Sequence, residues 1–404
     1  MPPAKLQTCH SFILRDNESQ ELWNWLLQRQ GLSDGTRLGS VETIAHAALG
    51  LHSARLPSPY STLAARSSGP DVALSLFDAQ TRRRVMTVRC MRKTLHTLPL
   101  AMAAAAHVAT MHFRERDALR GIVNAGEKLT RIGKVTDELT SLLETSGPLF
   151  HRDIEARLAR NGVATVTARL AIKLAWERGT IAYLNETSGW NREVRKFALT
   201  SQAYPDLDLG MSREAATISL MDAYFDRYGP ATLGDAVWWS GLSRGVIQRA
   251  LTDSGREVVA LQTPWSSDPH YMYRQRFEEF LSSSPEERST DVNFLAHEDV
   301  ALKAYFDSRS RYMGQLPARK AFNQIGEVLP TVLHQGQVIG TWLWNERDHR
   351  AECAILPGRA TVEVRKTVRA RLARLSGTLQ RGWSSTRGVT GAGVGHEQLI
   401  LADA

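Results

Sequence analysis

Two stretches of the sequence concentrate basic side chains that could contact phosphate. TRRRVMTVRCMRK, residues 81–93, and VRKTVRARLARLSGTLQR, residues 364–381, each carry several Arg and Lys and no acidic residue. In the first, valine and methionine interleave with Arg89, which predicts a strand with basic side chains on its outer face. The second predicts an amphipathic helix with a basic face. A charge run is also typical of an ordinary solvated surface, so both interpretations stay open.

The spacing of cysteines, histidines, lysines and glycines gives little support for disulfides, a metal site, a Schiff base or a phosphate loop. Cys9, Cys90 and Cys353 are three in number and far apart, and no CxxC or HExxH spacing occurs. We therefore expect no disulfide framework, no metal and a reducing cytoplasm. No lysine stands in a motif that would nominate a Schiff-base nucleophile. The glycine-rich stretch 388–399 lacks a strand before it and a helix after it, so we interpret it as a turn, not a phosphate loop.

Composition narrows the class further. Fifty Lys and Arg against 42 Asp and Glu give +8 over 404 residues, with 43% hydrophobic and 23% charged residues. Such a chain is globular and long enough for two or three domains. We find no apolar run of the ~18 residues that a membrane span needs, and no signal peptide at the N-terminus. The positive charge favours an anionic partner, and nucleic acid fits better than membrane.

Helical and strand patterns divide the chain into four segments. In residues 1–125 we expect helices over 21–32, over 40–51 with Ser40 as N-cap, and over 60–67. In 126–205, three short helices precede a β-hairpin, the outline of a winged helix. Residues 206–289 repeat that outline with an offset of about 80 residues and end in a linker.

Residues 290–404 predict a small β-rich domain, from the apolar runs of TVLHQGQVIGTWLW and AECAILPG, and a terminal helix. The predicted fold class is thus α+β, with tandem winged-helix domains followed by a β-rich domain. We expect Trp238, Trp239 and Trp342 to be core residues.

Several phrases in this order resemble the AlkZ-like winged-helix DNA glycosylases, a bacterial family that removes alkylated purines. LGLHSARLPSPYSTLAARS, 49–67, is similar to its catalytic segment, and MRKTLHTLP, 91–99, to its Met-Arg-Gly-Thr-Leu-His phrase. The match extends through YGPATLGDAVWWSGL, 228–242, and two C-terminal signatures within 294–342. It covers nearly the whole chain. The resemblance implies three winged-helix units curved around duplex DNA, a monofunctional glycosylase reaction, and no metal or bound cofactor. We also expect a monomer.

One departure falls on the catalytic motif. The family carries Gln-aliphatic-Gln or Gln-aliphatic-Asp before Ser-Pro-Tyr, and the aligned residues here are His52, Ser53 and Ala54. Ala54 has no functional group, which leaves His52 as the candidate catalytic residue. An imidazole can hydrogen-bond a water and accept its proton near neutral pH. Ser53 is expected to pack or to bond backbone.

The same resemblance assigns further residues by position. The motif is supported by Ser58, Tyr60 and His96, of which His96 is more typical of a buried histidine that supports the strand end. Candidate DNA contacts are Arg55, Arg66, Arg92, Lys93, Arg309, Arg311 and Lys320, with Lys93 standing where the family has a small residue.

Two functions remain open at this point. The first is a glycosylase for bulky or cross-linking purine adducts, with the hypothesis that it protects a genotoxin producer from its own product. The second is a non-catalytic winged-helix DNA binder, either a regulator or a damage-binding protein, which the missing glutamines favour. Direct drug binding without DNA is a weaker third.

Overall fold

The computed structural model describes residues 10–69, 71–192, 194–283 and 291–383. The predicted turn at 388–399 and Cys9 lie outside these ranges. The helices of the described ranges are α1 (Asp16–Arg29), α2 (Val41–Ala47), α3 (Ser58–Arg66), α4 (Val72–Thr81), α5 (Leu100–Asn124), α6 (Leu129–Ser146), α7 (His151–Arg160), α8 (Thr165–Glu177), α9 (Thr200–Ala203), α10 (Arg213–Tyr228), α11 (Leu233–Ser240), α12 (Arg244–Asp253), α13 (Arg274–Ser282), α14 (Val300–Lys303), α15 (Ser310–Met313) and α16 (Val362–Arg381). The strands are β1 (His10–Ile13), β2 (Leu51–His52), β3 (Val85–Arg89), β4 (Leu95–Pro99), β5 (Ile181–Asn185), β6 (Arg195–Leu199), β7 (Val258–Thr263), β8 (Ser266–Tyr273), β9 (Val292–Leu295), β10 (Thr331–His334), β11 (Gln337–Asn345) and β12 (Arg350–Ile355).

The mixed α and β content confirms the predicted class, and the strands form four small sheets. Their strand orders are β2-β4-β3, β5-β6, β1-β7-β8 and β12-β11-β10-β9. All neighbouring pairs are antiparallel except β1 and β7, which are parallel. None of the helices in the described ranges combines the length and apolar composition that crossing a membrane requires.

The three helices and hairpin predicted for the second segment are present, and so are the three helices and the strand predicted for the third. Helices α6, α7 and α8 precede the hairpin β5-β6, and α10, α11 and α12 precede β7-β8. Gly179 ends α8 with φ +78°, and a Cβ there would lie 2.8 Å from Nε2 of His107, so both backbone and space favour glycine. The number of winged-helix units and their arrangement around DNA stay predictions.

Contacts between distant parts of the chain cross the predicted segment boundaries. Strand β1, near the N-terminus, pairs with β7 of the third segment, in the register His10 to Val259. Residues 263–290, expected as a linker, instead contribute β8 and α13. One hydrophobic core joins side chains of distant segments, including Trp23, Leu98 and Tyr224.

The predicted basic outer face of β3 is wrong. All five residues of the strand are buried, and the Arg89 guanidinium contacts the carboxylate of Glu177 at the end of α8. The same carboxylate accepts from Arg114 Nη1 of α5 at 2.6 Å. A buried charge must be paired, and one acid here serves two arginines that are themselves nearly inaccessible. Glu177 therefore joins β3, α5 and α8 inside the protein, and Arg89 is used in that internal pairing.

The last segment contains a four-stranded sheet and the predicted amphipathic helix, and its standing as a separate β-rich domain stays a prediction. Helix α16 packs on the sheet β12-β11-β10-β9 and buries Val368, Leu375 and Leu379. Its Arg365, Lys366 and Arg369 are exposed on the other side.

The buried pairing of Glu177 makes a stability prediction. Glu177→Ala leaves two buried guanidiniums without their carboxylate, so we expect the free energy of unfolding in urea to fall by about 3–5 kcal/mol. Glu115→Ala is a matched control, because Glu115 and Arg178 link the same two helices, α5 and α8, at the surface, 2.7 Å apart. That loss should stay within about 1 kcal/mol. Equal losses in the two variants would contradict the role assigned to Glu177.

Candidate functional site

His52 lies where the chain passes from α2 through β2 to α3. Strand β2 pairs with β4, and His52 stands opposite His96 in that register. Their ring centroids are 5.6 Å apart at an interplanar angle of 79°. Gly50, at φ +104°, leads into the strand, and a Cβ there would lie 2.8 Å from Leu98 Cδ2. Glycine at this position therefore suits both the positive φ and the close approach to Leu98.

The residues that follow His52 hold its backbone in place. Ser53 N–H donates to Leu95 O at 2.8 Å, and its hydroxyl donates to Leu51 O at 2.9 Å. This confirms that Ser53 bonds backbone. Ala54 is partly buried against the hydrophobic core of the second segment. Ser58 and Tyr60 are buried in the first turn of α3, and the supporting role expected of them stays a prediction.

His96 supports the strand from within, as expected. It is 0% exposed, and its Nδ1 lies 3.3 Å from Thr94 O.

A third histidine, His297, completes a row with His52 and His96. Its ring centroid is 6.0 Å from that of His52, and its Nε2 lies 3.4 Å from Oε2 of Glu327. Glu327 also forms an ion pair with Arg55 Nη2 at 3.1 Å. Arg55 is exposed, so it remains a candidate DNA contact, but one already paired with a carboxylate. His297 and Glu327 were not predicted as site residues, although the phrase HEDVALK, 297–303, places polar residues among apolar ones and is a signal for His297.

A buried ion pair lies behind the histidines. Lys303 Nζ is 3.0 Å from Glu298 Oε2, and both side chains are almost fully buried. Glu298 Oε1 also accepts from Val328 N–H at 2.7 Å. Burial raises the pKa of Glu298, but the Lys303 charge and the Val328 N–H together outweigh it and lower the pKa overall. Glu298 is therefore ionised and neutralises Lys303.

Burial and positive neighbours keep His52 neutral. Its pKa lies well below the ordinary value, first because the ring is buried and then because of the Lys303 charge and the two other histidines. The Nδ1 of His52 is buried and has no hydrogen-bond partner among the described residues. A neutral imidazole with an unpaired nitrogen can position a polar group by hydrogen bonding. Its low pKa makes it a weak base, so positioning is the chemistry that the site supports best.

The turn that contains Arg92 and Lys93 is left-handed at both residues, with φ of +49° and +61°. Lys93 forms an ion pair with Asp117. The Arg92 guanidinium lies 3.9 Å from the ring centroid of Trp238. Trp238 differs from the core position predicted for it, since it is only partly buried. Trp239 and Trp342 are buried as predicted.

Trp238 continues into a stack of alternating character. The ring centroids of Trp238 and Phe306 are 4.4 Å apart, with an interplanar angle of 29°. The guanidinium of Arg309 lies 4.4 Å from the ring centroid of Phe306. We call this arrangement the cation–aromatic stack; it consists of Arg92, Trp238, Phe306 and Arg309. Contact with the aromatic rings holds the two guanidiniums in position. Lys320 is exposed in a short 3-10 turn at Ala318–Lys320.

Two of the predicted DNA contacts are wrong. Arg66 is 0% exposed and forms a bidentate pair with Asp299, through Nη1 to Oδ2 at 2.9 Å and Nη2 to Oδ1 at 2.7 Å. Arg311 is 1% exposed and lies 3.6 Å from the ring centroid of Tyr305. A guanidinium enclosed by protein cannot reach a phosphate, so both residues are structural. Sequence could not separate them from surface arginines, because only tertiary packing buries them.

The described residues were also compared with the requirements of a metal site. Within the described ranges, no three His, Cys, Asp or Glu side chains are placed to hold a metal ion together.

The left-handed turn makes a prediction about Lys93. Lys93→Gly should raise the free energy of unfolding by about 1 kcal/mol, because glycine adopts positive φ without steric cost. Lys93→Ala is the control, since alanine keeps the strained backbone and loses the Asp117 contact, so it should stabilise nothing. Chemical denaturation of the two variants compares them directly, and an alanine variant as stable as the glycine variant would refute the strain argument.

Comparison with known proteins places this geometry in a family. The model of the family described as "DNA glycosylase AlkZ-like" matches residues 46–381. No curated protein matches the sequence.

A solved structure shares the fold. The Streptomyces sahachiroi DNA glycosylase AlkZ superposes with a TM-score of 0.72 at 20% sequence identity, over 89% of this chain and 96% of that one. The family match spans most of the chain and includes the histidine row and the Ser-Pro-Tyr turn. The chain belongs to the AlkZ-like DNA glycosylase family.

Proposed function

We propose that this protein is a monofunctional DNA glycosylase that hydrolyses the N-glycosidic bond of bulky N7- or N3-alkylated purines in duplex DNA. The observation that carries the proposal is His52, a neutral and hydrogen-bond-deficient imidazole at the position of the family's first motif glutamine. A role in protecting a genotoxin producer from its own product is part of the same proposal, and bulky adducts belong among the substrates tested for that reason.

The proposed reaction asks little of the protein. An alkylated purine is cationic, and when its N-glycosidic bond breaks the electron pair stays with the base, which leaves neutral. Water then adds to C1′ of the oxocarbenium-like sugar and gives up one proton. A group that positions this water by hydrogen bonding is therefore sufficient, where excision of a normal base would need a strong acid.

DNA contacts are proposed for the exposed or partly exposed cations around the site. Arg92 and Arg309 are held by the cation–aromatic stack. Burial lowers the pKa of Arg92 overall, and the nearby charges of Glu298 and Glu327 oppose that shift. Lys93, Arg55 and Lys320 complete the set. Such contacts give affinity for phosphate and carry no sequence information.

The catalytic prediction concerns His52. His52→Ala should lower the single-turnover rate of base release from N7-methylguanine duplex by roughly 10²-fold, with duplex affinity retained. His52→Gln should keep most of the rate, because an amide positions water as the family residue does. Alkali cleavage of the abasic product measures the rate. An alanine variant as fast as the wild type would sink the role of His52.

A non-catalytic DNA binder is the alternative, and Ala54, which lacks any polar group at the second motif position, favours it. The same assay separates the two. A protein that binds alkylated duplex and releases no base from any of a panel of N7-alkylguanine adducts is a binder. A regulator would in addition select one sequence over random DNA of equal length.

Salt dependence tests the phosphate contacts. Lys320→Ala should reduce the slope of log affinity against log salt by about 0.9. Arg82→Ala is the control, because Arg82 is exposed but pairs with Asp78 at 2.7 Å and is not a proposed contact. Fluorescence anisotropy over a salt series gives both slopes, and an unchanged slope for Lys320→Ala removes that residue from the DNA surface.

A further inference from the structure

The histidine row runs from the core toward solvent. His96 is 0% exposed and His52 is 3% exposed. The side chains of His297 and Glu327 are 13% and 22% exposed, and that of Arg55 reaches 56%. Side-chain exposure therefore rises in the order His96, His52, His297, Glu327 and Arg55.

His297 has an orienting carboxylate but no aligned hydrogen bond. Its Nε2 is at ion-pair distance from Glu327, while both ring nitrogens lack a hydrogen-bond partner among the described residues. A bound water or a substrate group would supply the hydrogen bonds that these nitrogens lack. The ring thus keeps hydrogen-bonding capacity that no described residue uses.

The backbone around the pair is firmly held. Glu327 N–H donates to Asn323 Oδ1 at 2.8 Å, and Asn323 Nδ2 donates to Glu327 Oε2 at 2.8 Å. Glu298 N–H donates to Val328 O at 2.9 Å, which ties the two turns together next to His297. The carboxylate and the imidazole are therefore positioned by hydrogen bonds on both sides.

Ala54 explains why such a pair is needed. The family motif has a second polar side chain at this position, and here the methyl group packs against the second segment. His52 alone supplies one hydrogen-bonding group. A second group must come from elsewhere in the fold, and the ring nearest to His52 on its solvent side is His297.

We propose that His297, oriented by Glu327, is the second catalytic group of this site and takes the place of the polar residue that the motif lacks at Ala54. The inference rests on the proposed glycosylase function. His52 positions the attacking water and His297 accepts its proton as the C1′–O bond forms. The base departs with the electron pair of the N-glycosidic bond, so the sugar hydroxyl, the neutral base and one proton on His297 balance the step.

The first experiment compares variants in single-turnover base release from N7-methylguanine duplex. His297→Ala should lose roughly 10²-fold in rate and Glu327→Gln about ten-fold, with duplex affinity unchanged. His46→Ala is the control, because His46 is an exposed histidine of α2 whose partner is Arg227, away from this site. Thermal unfolding of each variant establishes that it is folded.

Rescue distinguishes a catalytic role from a structural one. Ala54→Gln returns the motif amide, so it should recover at least ten-fold of the rate in the His297→Ala background. A folded His297→Ala variant as active as the wild type would overturn the inference, as would a loss that Ala54→Gln leaves untouched. A wild-type protein that releases no base from any adduct overturns the proposed function itself, so the two failures are distinct.

The pH profile adds a second readout. Charged or titratable groups facing His297 are Glu298, Glu327, Arg55, His52 and, behind Glu298, Lys303. Burial lowers the pKa of His297, and the two glutamates oppose that shift. The rate should therefore fall as pH drops through a pKa below 6.5. Glu327→Gln removes one negative charge, so this acid limb should move to lower pH. A limb that does not move contradicts proton transfer to His297.

Discussion

The buried ion pair between Arg66 and Asp299 is the constraint on which the site depends. Both side chains are 0% exposed, and two hydrogen bonds join the end of α3 to the start of α14. Asp299 Oδ1 also accepts from Ala301 N–H at 3.0 Å. Separating α3 from α14 would leave a buried charge without its partner, and this costs free energy. The turn that carries His297 and Glu298 is thereby held against the strand that carries His52.

The site that results belongs to no single segment. Ser53 O accepts from Arg195 of β6 at 3.4 Å, Arg92 stacks on Trp238 of α11, and His297 comes from the last segment. Each contact crosses a boundary that the sequence pattern would draw. This explains why one hydrophobic core extends across distant segments, since a site built from four parts is only as well ordered as the packing between them.

Buried cations elsewhere in the protein are also paired with carboxylates. Glu177 serves Arg89 and Arg114, Glu298 serves Lys303, and Asp299 serves Arg66, so these buried cations each have a carboxylate. These pairs leave the net charge of +8 almost unchanged, because each carboxylate cancels a cation, but they remove cations such as Arg89 from the set that could contact phosphate. The cations left for DNA are those that lie outside these pairs or only at their exposed edge.

Local structure and family membership were predictable from the order of the amino acids. Apolar spacing and terminal glycines predicted α6 to α8 and the β5-β6 hairpin, and the Ser40 cap of α2 is present, because these depend on neighbours a few residues away. Tertiary structure alone decided which polar residues meet. Nothing local distinguishes Arg66 or Arg311 from a surface arginine. Nothing local brings His297 to within 6.0 Å of His52, 245 positions earlier in the chain. Burial and long-range pairing are properties of the packed molecule, so their consequences for charge and chemistry appear only there.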